Sequence, residues 1–210
     1  MKTATIAITG IILLSFIVGI YFYPQMPAQM ASHWGTTGEV NGYVPKFWGL
    51  FLMPIISVLL LALFIAIPRI DPMKENIAKF RRYFDGFIVL IMSFLFYMDL
   101  ITVFWSLGFR FNMVSMIAPA LGILFYGAGM LIENSKRNWF IGIRTPWTLS
   151  NEHVWEKTQK LGGKLFKAAA VIAVLGIFFQ QIAFYLVIVP ILAVAVFTVV
   201  YSYAIYPKGK

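Results

Sequence analysis

From Ala168 to Tyr206 the chain carries no charged side chain, and most of that stretch is apolar. A helix rises about 1.5 Å per residue and a bilayer's hydrocarbon core is about 30 Å thick, so one crossing takes about 20 residues. The stretch is much too long for one crossing and has to fold back. Its strongly polar pair is Gln180–Gln181, with Pro190 beyond, and amides placed in lipid would go unpaired. The sequence therefore predicts a turn at a membrane face, with helices at about 165–180 and 184–206. Lys164 and Lys167 snorkel at the start of the first.

Four more runs are long enough to cross, at about 4–23, 47–67, 84–107 and 113–132. A content of 60% hydrophobic and 12% charged residues fits this reading and not a water-soluble globule. The first run follows Lys2 and has the outline of a signal peptide. Its apolar part exceeds the usual 7–15 residues, and Pro24–Ala31 offers no small-x-small cleavage site. It is read as an uncleaved first helix. The expectation is one all-α integral membrane domain over residues 1–210 with six transmembrane helices. No internal repeat is visible.

Basic residues orient these spans, because cytoplasmic loops carry the excess of Lys and Arg. With six spans, one side holds Lys2, Arg69, Lys74, Lys79, Arg81, Arg82, Lys136, Arg137, Arg144, Lys157, Lys160, Lys164, Lys167, Lys208 and Lys210. The other side keeps Lys46 and Arg110. Both termini are predicted to be cytoplasmic. A net charge of +9 is thereby assigned to loops that meet anionic membrane lipid, with no direct nucleic-acid partner. The absence of cysteine excludes a disulfide framework, a thiol nucleophile and a thiolate metal site.

Two loops exceed what a helix connection needs, and loops of that length are usually functional. The outer one, 24–46, contains Pro24, Pro27, Gly35, Gly38, Asn41-Gly42 and Pro45, and this density of turn formers predicts an ordered loop. Trp34 and Tyr43 are placed to anchor it at headgroup level. His33 and Glu39 are the ligand or acid–base candidates, but one imidazole and one carboxylate do not close a metal site. A hydrogen-bonded surface histidine is the plainer reading.

The inner loop, 133–164, begins apolar and aromatic through Asn138, Trp139, Gly142, Arg144, Thr145, Pro146 and Trp147. From Ser150, read as a cap, a short amphipathic helix is expected. Glu152, Glu156 and Lys160 lie on one side, Val154, Trp155, Thr158 and Leu161 on the other, and Gly162-Gly163 is the stop. The loop is either a docking face for a cytoplasmic partner or a lipid-facing elbow between helices. Arg144 would reach a backbone carbonyl, a carboxylate or a lipid phosphate.

Within the spans, Asp99 lies about 22 Å along its helix. An exposed charge there would cost about 2.5–3.5 kcal/mol, so it should face the bundle or be protonated. It is the residue on which a small transporter or ion-coupled protein would rest. An intramembrane hydrolase is the enzyme alternative; it lacks an HExxH pattern, and the orientation puts His33 and His153 on opposite faces.

The inner-loop run Asn138-Trp-Phe-Ile-Gly-Ile-Arg-Thr-Pro-Trp-Thr-Leu-Ser150, with Trp155-Glu-Lys157-Thr158 and Leu161-Gly-Gly-Lys164, resembles the signature of the SdpI family of membrane proteins. The outer pattern Pro27…His33-Trp34-Gly…Gly38-Glu39…Gly42-Tyr…Lys46 is similar to the same family. The resemblance implies a multi-pass cell-membrane immunity protein, not an enzyme and without cofactor or metal. It implies protection of the producing cell against a secreted, membrane-active toxic peptide. It also implies a receptor role in which a cytoplasmic transcriptional repressor is held at the membrane.

Overall fold

The computed structural model describes residues 2–207. Lys208 and Lys210, counted above on the basic side, lie outside them. In chain order the elements are α1 (Lys2–Phe22), β1 (Gln29–Trp34), β2 (Val40–Pro45), α2 (Lys46–Ile70), α3 (Lys74–Lys79), α4 (Arg81–Ser106), α5 (Met113–Asn134), α6 (Pro146–Ser150), α7 (Glu152–Val174) and α8 (Ala183–Ala204). Among the described residues five helices, α1, α2, α4, α5 and α8, are long and apolar enough to cross a membrane. The chain is a multi-pass membrane protein.

Much of the helix surface stays apolar and outward-facing, as Leu59, Leu63, Leu192 and Val196 illustrate. In lipid such residues gain nothing by burial, so packing and small residues must bring the helices together. One buried cluster joins Ile8 and Ile12 of α1, Ile67 of α2, Ile77 of α3 and Phe84, Ile88 and Met92 of α4 to Leu131 and Ile141. A second roots the hairpin through Met26, Met30, Leu50 and Val103. A third, of Ala118, Ala173, Ala183 and Val187, ties α5, α7 and α8 together.

The α5–α7 pair makes the most extensive helix contact and runs antiparallel. A Cβ on Gly129 would lie 2.7 Å from Gly163 O, and one on Gly122 would lie 2.9 Å from Ala170 O. The backbones can approach this closely only because no side chains intervene. Lys167 Nζ closes the seam on Glu133 Oε2 at 2.5 Å. Gly162 and Gly163 therefore do not end a short amphipathic helix. The helix runs unbroken through them to Val174, and the glycines serve as its contact surface. Its cap is also not Ser150: Asn151 Oδ1 accepts from Val154 N–H at 3.1 Å, while Ser150 Oγ donates back to Pro146 O.

Beyond Val174 a 3-10 turn at Leu175–Ile177 and another at Gln180–Ile182 reverse the chain, leaving both glutamines exposed. α8 then returns along α7, so that Ala183 lies beside Gly176 and Thr198 beside Gly162.

The loop 24–46 corrects the all-α expectation. It contains an antiparallel hairpin in which Gln29 faces Pro45 and Ala31 faces Tyr43, with register shifts around His33. β2 alternates exposed and half-buried residues, the period-two signature of a strand with one covered face. A turn bonded Gly35 N–H to Glu39 O at 2.8 Å joins the strands. Gly38 in that turn takes φ +87°, a conformation that disfavours side chains.

Candidate functional site

The segment joining α5 to α7 has almost no regular structure, and buried polar side chains supply the partners that its backbone needs. Asn138 is fully buried; its Oδ1 accepts from Phe140 N–H (2.9 Å) and Ile141 N–H (2.6 Å). Its Nδ2 donates to Lys136 O (2.8 Å) and Ile141 O (2.9 Å), which uses all four bonds of the amide. Gln159 of α7 is also buried and bonds both backbone groups of Ile143 at 2.8 Å. Gly142, between these two anchors, takes φ +108°, and a Cβ there would lie 2.8 Å from Gln159 Oε1.

Thr145 and Thr148 form a reciprocal capping box at the start of α6, and Thr145 Oγ1 shares a 3.0 Å hydrogen bond with Ser202 Oγ of α8. Trp155 is buried and donates through Nε1 to Ser135 O at 3.0 Å. Asp71, at the end of α2, accepts from Met73 N–H at 2.6 Å and from Trp139 N–H at 2.9 Å. These contacts bind the loop to α2, α7 and α8.

Among the residues singled out from the sequence, Asn138, Gly142, Thr145 and Trp155 thus sit within the loop's own framework. A partner arriving from outside would meet other groups. Trp139, Arg144, Pro146 and Lys157 are exposed, and Trp147 is half-buried with its ring centroid 5.0 Å from that of Tyr203. Of the three partners conceivable for Arg144, the backbone carbonyl is the one present: Nη1 donates to Trp139 O at 2.6 Å.

At the other end of the bundle, His33 is exposed and its Nδ1 is hydrogen-bonded to Asn41 Oδ1. Glu39 is exposed at the hairpin turn, and no group of three or more metal-ligating side chains occurs among the described residues. Trp34 packs edge-on to Trp105 of α4 with centroids 5.9 Å apart. Asn112 ties the turn to α5: its Nδ2 donates to Thr37 O at 3.2 Å while its Oδ1 caps the helix by accepting from Ser115 N–H. A Cβ on Gly38 would strike this amide at 2.8 Å, and one on Gly42 would lie 2.9 Å from His33 Cβ. Lys46 Nζ lies 4.4 Å from the Tyr23 ring centroid, a cation–π contact at the hairpin's foot.

The hairpin overhangs a largely apolar cleft of about 520 Å³ formed with α4, α5 and α8, whose walls include Trp34, Met98, Ile117, Leu121, Phe184 and Ile188. Trp34 Nε1 is buried without a hydrogen-bond partner. Asp99 lies elsewhere, between α1 and α4. It is buried, and Ser15 Oγ donates to its Oδ2 at 3.1 Å.

Residues 134–202 match the SdpI/YfhL protein family. Across nearly its whole length the chain is 28% identical to Immunity protein SdpI of Bacillus subtilis (strain 168), covering 99% of this chain and 98% of that protein. The likeness of the chain to the SdpI/YfhL family thus lies in its C-terminal third, within a weaker likeness to one named protein from end to end. Residues 10–58 also match a domain of unknown function (DUF1648). No solved structure matches the chain. The SdpI/YfhL segment takes in the α5–α7 loop, α6, α7 and most of α8. The second segment takes in the hairpin with the adjoining halves of α1 and α2.

Sequence reading passed over Asp71, Asn112, Gln159 and Ser202. Gln159 had a signal, since it stands four residues after Trp155 on what becomes the buried face of α7. Asn112 and Asp71 had local ones too, as the cap three residues before Ser115 and the carboxylate two residues before Met73. Their longer bonds to Thr37 and Trp139, like that of Ser202 to Thr145, join groups far along the chain that no local pattern marks.

Proposed function

We propose that this protein is a membrane immunity protein that protects the producing cell from a secreted, membrane-active toxic peptide. Its likeness to Immunity protein SdpI from end to end carries this reading. The hairpin-covered cleft supports it as the place of encounter. The cleft is apolar enough for the side chains of a peptide partitioned into the membrane, and the Trp34 ring forms part of its wall.

The layout belonging to this proposal has six passes in a single domain with both termini in the cytoplasm. The sixth pass is the short one placed at about 165–180, the second half of α7 continued by the 3-10 turn at Leu175–Ile177. Glu152, Glu156, Lys157 and Lys160 crowd the first half of α7 and Lys164 and Lys167 open the second, yet the helix runs beside α5 along the seam from Gly163 to Val174. The basic loops then share one face with the α5–α7 loop, and the cleft faces outward.

The protein acts without catalysis in this proposal. His33 is held near the Asn112 end of α5 and His153 near its Asn134 end, about 33 Å apart along the helix, so the two histidines cannot serve one reaction centre. The test is expression in a peptide-sensitive cell. Membrane potential is retained on challenge in cells carrying the protein and collapses in cells without it; collapse in both rejects the proposal.

A second reading adds a receptor role, in which the α5–α7 loop holds a cytoplasmic repressor. The exposed set of Trp139, Arg144, Pro146 and Lys157 on a rigidly supported loop favours it. Capture of the repressor at the membrane during challenge, lost on replacing Trp139 and Lys157 with alanine, is the expected observation.

A further inference from the structure

A second groove, of about 530 Å³, lies between α4 and α5 and is distinct from the hairpin cleft. Arg82 and Tyr83 stand at its mouth, and its walls run past Phe87 and Leu90 to Ser93. It exists because Gly86 lacks a side chain and nothing lies within 4 Å of where its Cβ would be. Gly127 opposite admits Leu90, whose Cδ2 takes the space that a Cβ there would need, so that Leu90 forms the wall of the groove.

From Arg82 to Ser93 the groove extends about 16 Å along α4, roughly half the hydrocarbon thickness of a bilayer. That is the depth of one leaflet. It suits an acyl chain and is too short for a partner's transmembrane helix. At the mouth, acids that could satisfy Arg82 are already paired: Asp85 with Arg81 at 2.6 Å and Glu133 with Lys167 at 2.5 Å. Arg82 is exposed at the N-terminal turn of a 26-residue helix, where the helix dipole also favours negative charge. Neighbouring Lys79 donates to Asn76 Oδ1 at 2.9 Å.

We infer that the α4–α5 groove binds an anionic phospholipid, with its phosphate at Arg82 and one acyl chain laid over Gly86. Cationic mouth, apolar walls and single-leaflet depth match the two ends of such a molecule in order, and basic pockets between membrane helices are suited to anionic headgroups.

The test uses the full-length protein, reconstituted with equal phosphatidylglycerol and phosphatidylcholine and extracted in mild detergent, with retained lipid measured by mass spectrometry. Phosphatidylglycerol is expected to be retained roughly fivefold over phosphatidylcholine, the weight of one basic side chain on anionic lipid. Arg82→Gln abolishes that preference. Gly86→Leu, whose Cβ meets nothing within 4 Å, fills the groove and removes the bound lipid altogether, while the unchanged thermal transition of the variant shows that it folds. Lys160→Gln, on the exposed face of α7, leaves the ratio as it was. Equal retention of the two lipids, an Arg82→Gln effect no larger than that of Lys160→Gln, or a dimer lost in Gly86→Leu with no lipid selectivity would each overturn the inference.

Discussion

Gln159 grips Ile143 by both of its backbone groups, Oε1 accepting the N–H and Nε2 donating to the carbonyl, each at 2.8 Å. This pairing does for an irregular loop what a neighbouring strand would do in a sheet. Gln159→Leu preserves bulk and strands both groups, at about 1–3 kcal/mol apiece. Thermal unfolding in detergent is expected to shift down clearly. Glu156→Gln, which removes the half-exposed pair with Lys136, should shift it little. Similar transitions for the two variants would show that the grip contributes nothing.

Asp71 carries the same logic across a longer span. Asp71→Ala unties the Trp139 and Met73 amides and frees the apolar half of the loop from α2. Trypsin cleavage after Arg137 or Arg144 should accelerate while the helical circular dichroism signal persists. Unaltered cleavage would mean that the loop is held without this carboxylate.

The glycine seam makes a sharper prediction. Gly163→Val puts a side chain where Gly129 O and Glu133 already lie, at 2.6 and 2.5 Å from its Cβ, so α5 and α7 must separate. Folded protein is expected to be lost. Gly10→Val, whose Cβ meets nothing within 4 Å, should be recovered at the normal yield. Equal recovery of both variants would contradict the close seam.

Filling the hairpin cleft tests the immunity proposal at its site. Ile188→Trp places an indole in the cleft from its partly exposed wall, so yield should be normal while protection against the peptide falls at least several-fold. Full protection from a folded Ile188→Trp protein would move the encounter elsewhere.

Topology is open to direct measurement. A fluorescent protein fused after Lys210 should fold and fluoresce, and alkaline phosphatase inserted after Gln181 should be active. The reverse pattern would invert the proposed orientation.

Length and hydrophobicity were enough to mark α1, α2, α4, α5 and α8, because lipid imposes its thickness on any chain that crosses it. The reversal at Gln180–Gln181 was legible for the related reason that two amides have no partner in hydrocarbon. Gly162-Gly163 misled because glycine has two opposed uses. At a helix end it accepts a left-handed turn, whereas on a helix flank it admits another backbone, and only the position of Gly129 tells which applies. The hairpin escaped because His33 and its neighbours break the strand register, so no clean alternation reaches the eye. Arg82, read simply as one more basic loop residue, gains its distinct setting from Gly86 and Gly127, whose bearing on one another depends on how α4 meets α5.

The uninterrupted course of α7 has a mechanical consequence. Its 23 residues make a lever of about 34 Å whose far end packs through Ala173 against Ala118, Ala183 and Val187 beneath the hairpin cleft, and whose near end carries Trp155 and Gln159. Ala173 and Gln159 are about 21 Å apart along it, so a tilt of about 5° about the one would carry the other by on the order of 2 Å, enough to part a hydrogen bond. The grip on Ile143 thus tolerates little tilting of α7 from the opposite side of the bundle.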